Sequence, residues 1–191
     1  MNYFYSLLNN LSLSLALLFI PTILMAYEEA NYKTVFQSED IEVRYYDERL
    51  VVQTSYGDQN GGFRKLFNYI SGSNEDSEKI AMTIPVTQSD SGEGMVMQFY
   101  LPSRFDKKNT PLPNDDSLKI SSIEAGYYGV IKFSGRSKDK NFSRHSEILK
   151  KELEENNIQI IGPSIKATYN GPFTLAPFRR NESMYLVDWN K

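Results

Sequence analysis

Few side chains in this sequence can do covalent chemistry, and those few are scattered. The chain has no cysteine and a single histidine, His145. That removes disulfides, thiolate nucleophiles, cysteine-ligated zinc and iron–sulfur clusters, and it removes any two-histidine metal site. A serine–histidine–carboxylate arrangement would have to use His145 as its base. No G-x-S-x-G elbow, phosphate-binding loop or dinucleotide glycine pattern accompanies it. His145 sits between Phe142 and Leu149, beside the apolar stripe of a predicted helix. There an imidazole is ordinarily a packed, hydrogen-bonded residue rather than a ligand. Glu182 follows the pair Arg179 and Arg180, with Tyr169 and Tyr185 in nearby strands. A carboxylate and a phenol in a cleft could do acid–base work; a buried ion pair between Glu182 and either arginine accounts for the same residues and is preferred. Met82, Met95 and Met97 fall on apolar strand faces. Thioethers are adaptable core material, but they also lie well against π-faces and ligate soft metals. With the aromatics around them they suit a pocket for a large flat guest.

The elements that must position these residues follow from periodicity. "IEVRYYD" (41–47) alternates apolar and polar residues and reads as a half-buried strand; "LVVQTSY" (50–56) follows a tight turn and is expected to be its hairpin partner. Phe63, Leu66, Phe67 and Ile70 recur at helical spacing and predict an amphipathic helix closed by Ser71-Gly72. "EKIAMTIPVTQ" (78–88) places Ile80, Met82, Ile84 and Val86 on one face of a strand, in spite of Pro85, and "MVMQFYL" (95–101) is another strand. The second half repeats the order. "LKISSIE" and "YYGVIKFSG" match the first two strands, "NFSRHSEILKKELEENN" the helix, and "SIKATY" and "SMYLVDW" the last two. Ile41 and Ile120 are as far apart as Phe63 and Phe142, so the register is kept. Two copies are too few for a solenoid; one α+β domain with pseudo-twofold symmetry is expected. The polar, proline-bearing stretch 102–117 reads as the crossover between halves, and "NGPFTLAPFRRNE" (170–182) as a proline-stiffened aromatic loop.

The bulk properties suit one globular domain: 191 residues, 40% hydrophobic and 13% aromatic. A net charge of −3 gives no global pull toward nucleic acid. Residues 1–26 contain the apolar run "LSLSLALLFIPTILMA" and no charged side chain. This is the pattern of a secretory signal cleaved after Ala26, with an uncleaved anchor as the competing reading. Export is the expectation, to the periplasm if the source is bacterial and otherwise by secretion, leaving a mature form at 27–191 without a membrane span. The oligomeric state is not legible.

These segments resemble the SOUL haem-binding family. "KIAMTIPVTQ" is similar to that family's K-I-A-M-T-x-P-V signature, and "FYLPS", "TPLPND", "FRKLFNYISG" and "YNGPFTLAPFRRNE" fall in the same order as its matching segments. The resemblance covers essentially all of 27–188. Ile84 is a departure, standing where alanine is common. The resemblance implies a distorted, largely antiparallel eight-stranded barrel built from two repeats with one helix each. It also implies a tetrapyrrole, usually haem, held non-covalently in an apolar cleft beside one helix; it does not imply a reaction. On that expectation Phe63, Phe67, Met82, Met95 and Met97 are the pocket wall, and Arg64, Lys65, Arg179 or Arg180 the partners of propionates. His145 is the one imidazole that could reach the iron. Transport, buffering or scavenging would all use such a site. Two rivals stand beside this reading: a small-molecule hydrolase or effector-binding domain using Glu182 and a tyrosine in the same cleft, and an envelope interaction protein without a ligand.

Overall fold

The computed structural model describes residues 27–57 and 59–190. The segment expected to be a leader, 1–26, lies outside the described residues. Two short strands open the fold, β1 (Glu28–Glu29) and β2 (Lys33–Gln37). The first repeat is β3 (Ile41–Tyr46), β4 (Arg49–Tyr56), α1 (Gln59–Ile70), β5 (Thr83–Ile84), β6 (Val86–Asp90) and β7 (Met95–Tyr100). The second is β8 (Lys119–Ile123), β9 (Gly126–Phe133), α2 (Asp139–Glu155), β10 (Gln159–Thr168) and β11 (Asn181–Asp188). The domain is α+β, with one amphipathic helix per repeat as the periodicity requires.

Nine strands form one antiparallel sheet in the order β2-β3-β9-β11-β10-β6-β7-β4-β8. Without β2, exchanging the two repeats reverses this order, so a pseudo-twofold axis passes between β10 and β6. Three expectations are corrected by the pairing. Segments 41–46 and 49–56 are not a hairpin: β3 pairs with β2 and β9, and β4 with β7 and β8. The links Asp47-Glu48 and Glu124-Ala125 therefore join strands from opposite ends of the sheet. A link that short reaches only about 10 Å, so the sheet must coil until its ends meet. They meet through side chains: the Arg49 guanidinium lies 4.3 Å from the ring centre of Tyr46 and 5.0 Å from that of Tyr128. Among the described residues no ladder joins the ends, so the sheet is open and nine-stranded rather than a closed eight-stranded barrel. The third correction concerns 78–88. Pro85 has no N–H to give a ladder, and the chain changes partners there: β5 lies parallel to β1, whereas β6 runs between β10 and β7.

Strand alternation divides the apolar residues between two sides of the sheet. On the convex side α1 covers β4 and β7 with Leu66, Tyr69 and Ile70 against Val52, Met97 and Phe99. There α2 covers β9, β10 and β11, with Leu149 and Leu153 against Ile131, Tyr185 and Val187. Gly129 permits that approach, because a Cβ at this position would lie 2.8 Å from a Leu153 methyl. The inner side holds Tyr46, Tyr128, Val130, Ala167, Tyr169 and Met184.

Candidate functional site: an apolar groove beside the first helix

The helix α1 has a wider apolar stripe than the sheet can cover. Leu66 and Ile70 are buried, but Phe63 and Phe67 remain 41% and 48% exposed. Their rings lie nearly parallel, 6.1 Å between centres and 13° between planes, and Phe63 meets buried Phe99 edge-on at 5.2 Å. This aromatic pair overhangs a groove of about 460 Å³. Met82, Ile84, Val86 and Gln88 line its floor with Met97. The alternation read from 78–88 therefore identifies the groove wall, even though Pro85 divides the strand. Several contacts hold that wall in place. The Ile80 N–H donates to the Ile70 carbonyl at 2.8 Å, the Glu78 N–H to the Asn74 side chain at 2.9 Å, and the Thr83 hydroxyl to the Tyr100 carbonyl at 2.6 Å. The far end is more polar, with Ser137, Thr168, Tyr169 and Asn170, and Tyr27, Gly171 and Pro172 complete the rim.

Behind the groove, on the inner side, lies a charged cluster that sequence reasoning found only in part. Glu182 is fully buried. Its Oε2 accepts hydrogen bonds from Arg44 Nη1 at 3.0 Å and from the Tyr169 hydroxyl at 2.6 Å, and its Oε1 accepts from Arg180 Nε at 3.0 Å. Arg180 also grips Glu29 with two bonds of 2.9 and 2.8 Å and lies 3.7 Å from the Tyr169 ring centre. Burial, and then the Glu182 carboxylate, push the Tyr169 phenol far above its ordinary range, so it stays a donor. Burial opposes the charge on Arg44, but Glu182, Glu42 and Tyr46 more than offset it and raise its pKa further. Tyr46 is pushed up to about 12, chiefly by its burial. The expected Glu182–Arg180 pair exists, and Arg44, 138 positions away in sequence, is its second cation.

The sequence-derived site residues separate accordingly. Phe63, Phe67, Met82 and Met97 come together in the groove wall. Met95 is half-buried at the start of β7 and outside the lining, and Arg64 is exposed on the solvent side of α1. Arg179 donates to the Thr174 and Pro172 carbonyls at 2.7 and 2.6 Å, which folds the loop behind the rim. Arg180 is committed to the two carboxylates. His145 lies on α2, stacked on Phe133 with 3.8 Å between ring centres, and its Nδ1 is 2.7 Å from the Asn141 carbonyl. It is not among the groove residues. Of the tyrosines paired with Glu182 in the sequence reading, Tyr169 reaches both the carboxylate and the groove. Tyr185 packs on the α2 side.

The model of the SOUL heme-binding protein family matches residues 27–186. The chain belongs to that family. Among curated relatives, heme-binding protein 1 of Sus scrofa is 30% identical over 97 residues, 47% of this chain and 51% of its own. Heme-binding protein 1 of Bos taurus is 26% identical over 130 residues, 64% of this chain and 66% of its own. The SOUL chain thus spans between half and two thirds of these relatives. Among solved structures, the C-terminal domain of EcmrR superposes with a TM-score of 0.56 at 14% identity, over 82% of this chain and 98% of that one. A hydrolase from Listeria innocua superposes with a TM-score of 0.54 at 8% identity, over 81% and 94%. At such identities these two likenesses establish the fold alone.

The groove fits the ligand class that family membership implies. Its volume lies within the roughly 300–1,000 Å³ of small-molecule sites. It offers a flat aromatic pair, two thioethers and branched aliphatics, with amide and hydroxyl groups at one end. No imidazole lines it. Glu182, by contrast, has no exposed surface and three donors already on its oxygens. It ties together β3, β11 and the end of β10 on the inner side of the sheet.

Proposed function

We propose that this SOUL protein binds haem or a related tetrapyrrole, non-covalently, in the groove between α1 and the Met82–Gln88 wall, and that it serves transport, buffering or scavenging. The observation that carries the reading is the convergence of Phe63, Phe67, Met82 and Met97 on a single apolar groove beside the first helix. Relatives named heme-binding protein 1 support the ligand class. The porphyrin plane would lie against the two phenylalanine rings, whose exposed faces remain solvated without a ligand. Gln88, Thr168 and Asn170 would accept or donate hydrogen bonds at the polar end, and Arg64, on the outer side of α1, would screen propionates that project from the groove. The bound group would supply iron chemistry; the protein side supplies an apolar wall, and the Met82 or Met97 thioether is the soft donor nearest to hand. His145 would then be a packed residue of α2. Residues 11–26, apolar in sequence, support export with cleavage after Ala26 as the route by which the mature chain would meet extracytoplasmic haem.

Titrating haem into the 27–191 chain while following the Soret band tests the reading. Saturation at one haem per chain, with a shifted band, is the expected result. His145→Ala should leave that spectrum unchanged. Absorption that grows without saturation would refute specific binding.

A further inference from the structure

The loop after β10 keeps three large apolar side chains in water: Phe173, Leu175 and Phe178 are 98%, 67% and 76% exposed. Residues 171–178, "GPFTLAPF", carry no charge. The exposure does not come from a loose backbone. Arg179 clamps the Pro172 and Thr174 carbonyls, the Phe178 N–H donates to the Leu175 carbonyl at 2.9 Å, and the Gly135 N–H donates to the Ala176 carbonyl at 2.9 Å. That last bond sets the loop against the segment leading into α2, where Arg136, Lys138 and Lys140 are all exposed. The one acid among them, Asp139, is paired with Lys166 at 2.6 Å. An uncharged aromatic tip beside a local excess of cations, on a chain of net charge −3, is the pattern of an interfacial membrane contact. Gly171 and Pro172, at the start of this loop, line the rim of the groove beside α1.

We propose that the 171–178 loop docks on an anionic lipid bilayer. Phe173, Leu175 and Phe178 enter the boundary between headgroups and acyl chains, and Arg136, Lys138 and Lys140 lie over the phosphates. The groove then opens toward the bilayer, so that an apolar ligand dissolved there would enter between the loop and α1 without crossing water. The docking surface stands independently of the haem reading, since it is tested on vesicles that contain no haem.

The test is co-sedimentation of the 27–191 chain with vesicles of phosphatidylcholine, with and without phosphatidylglycerol. Binding that depends on phosphatidylglycerol is expected. It should fall by about tenfold or more when Phe173, Leu175 and Phe178 are changed together to serine, and likewise when Arg136, Lys138 and Lys140 are changed to glutamate. Both variants alter only exposed side chains, so thermal unfolding should match the parent, and haem titration of the serine variant in solution should be unaltered. Failure of the parent chain to sediment with either vesicle, binding indifferent to phosphatidylglycerol, or a serine variant that binds like the parent would each overturn the proposal.

Discussion

Changing Glu182 to glutamine is expected to lower the stability of the fold by about 3–5 kcal/mol, seen as a large drop in the urea midpoint of the 27–191 chain. Glu182 is fully buried and Arg44 only 3% exposed at its side chain. The substitution leaves the buried Arg44 guanidinium with only the partly exposed Glu42 carboxylate, 2.6 Å from its Nε, to answer its charge. Three elements would feel the change, since Arg44 comes from β3, Tyr169 from the end of β10, and Arg180 from the residue before β11. Replacing the pair together, Arg44→Met with Glu182→Leu, should recover much of the loss. A buried ion pair contributes little over apolar residues of similar volume, whereas half a pair is costly. Arg180 keeps Glu29 in that variant. A Glu182→Gln chain within about 1 kcal/mol of the parent would show that the cluster does not hold the coiled sheet together.

Changing both Phe63 and Phe67 to alanine is expected to weaken haem binding roughly thirtyfold while changing stability far less than a core substitution would. Each ring is about half exposed in the free protein. Covering that remaining half stabilises a complex by about 1 kcal/mol per ring, given about 1.5–3 kcal/mol for a whole buried side chain. Two rings together amount to about 2 kcal/mol, with tenfold in affinity for every 1.4 kcal/mol. The same exposure limits what folding loses. Leu66→Ala, one position before Phe67 but fully buried, should do the reverse, costing about 2–5 kcal/mol of stability. Equal haem affinity in the parent and the Phe63/Phe67 variant would place the ligand elsewhere.

Much of this arrangement was legible from local pattern, and what was not is non-local. The repeat, both helices and eight strands follow from periodicity. The faces of Met82, Ile84 and Val86 follow from strict alternation, which survives even the partner change at Pro85. Strand pairing does not follow. A two-residue link such as Asp47-Glu48 reads as a hairpin in any sequence, and only the coiling of the sheet carries β3 and β4 to opposite ends of its order. The short strands β1 and β2 have too few alternating residues to announce themselves. The site shows the same division. Aromatic and thioether residues in three segments of the first repeat point to the groove, but Tyr27, Ser137, Thr168 and Asn170 reach its rim from distant parts of the chain. The family resemblance implies Arg179 and Arg180 as partners of propionates. In the fold Arg179 is occupied by backbone carbonyls and Arg180 by Glu29 and Glu182; the pair with Glu182 is the one the sequence suggests, whereas the carbonyls and Glu29 leave no sequence signal. Extending the alternation by one step, from Val86 to Gln88, would have found a further groove residue.

The position of the porphyrin can be read directly from the methionine methyl groups. With those methyls carbon-13 labelled in the 27–191 chain, saturating the protein with haem or zinc protoporphyrin should move the Met82 and Met97 resonances strongly. Met95, outside the lining, and Met184, on the inner side of the sheet, should move little. Large shifts at Met184 or Met95 with Met82 unmoved would contradict a groove site beside α1.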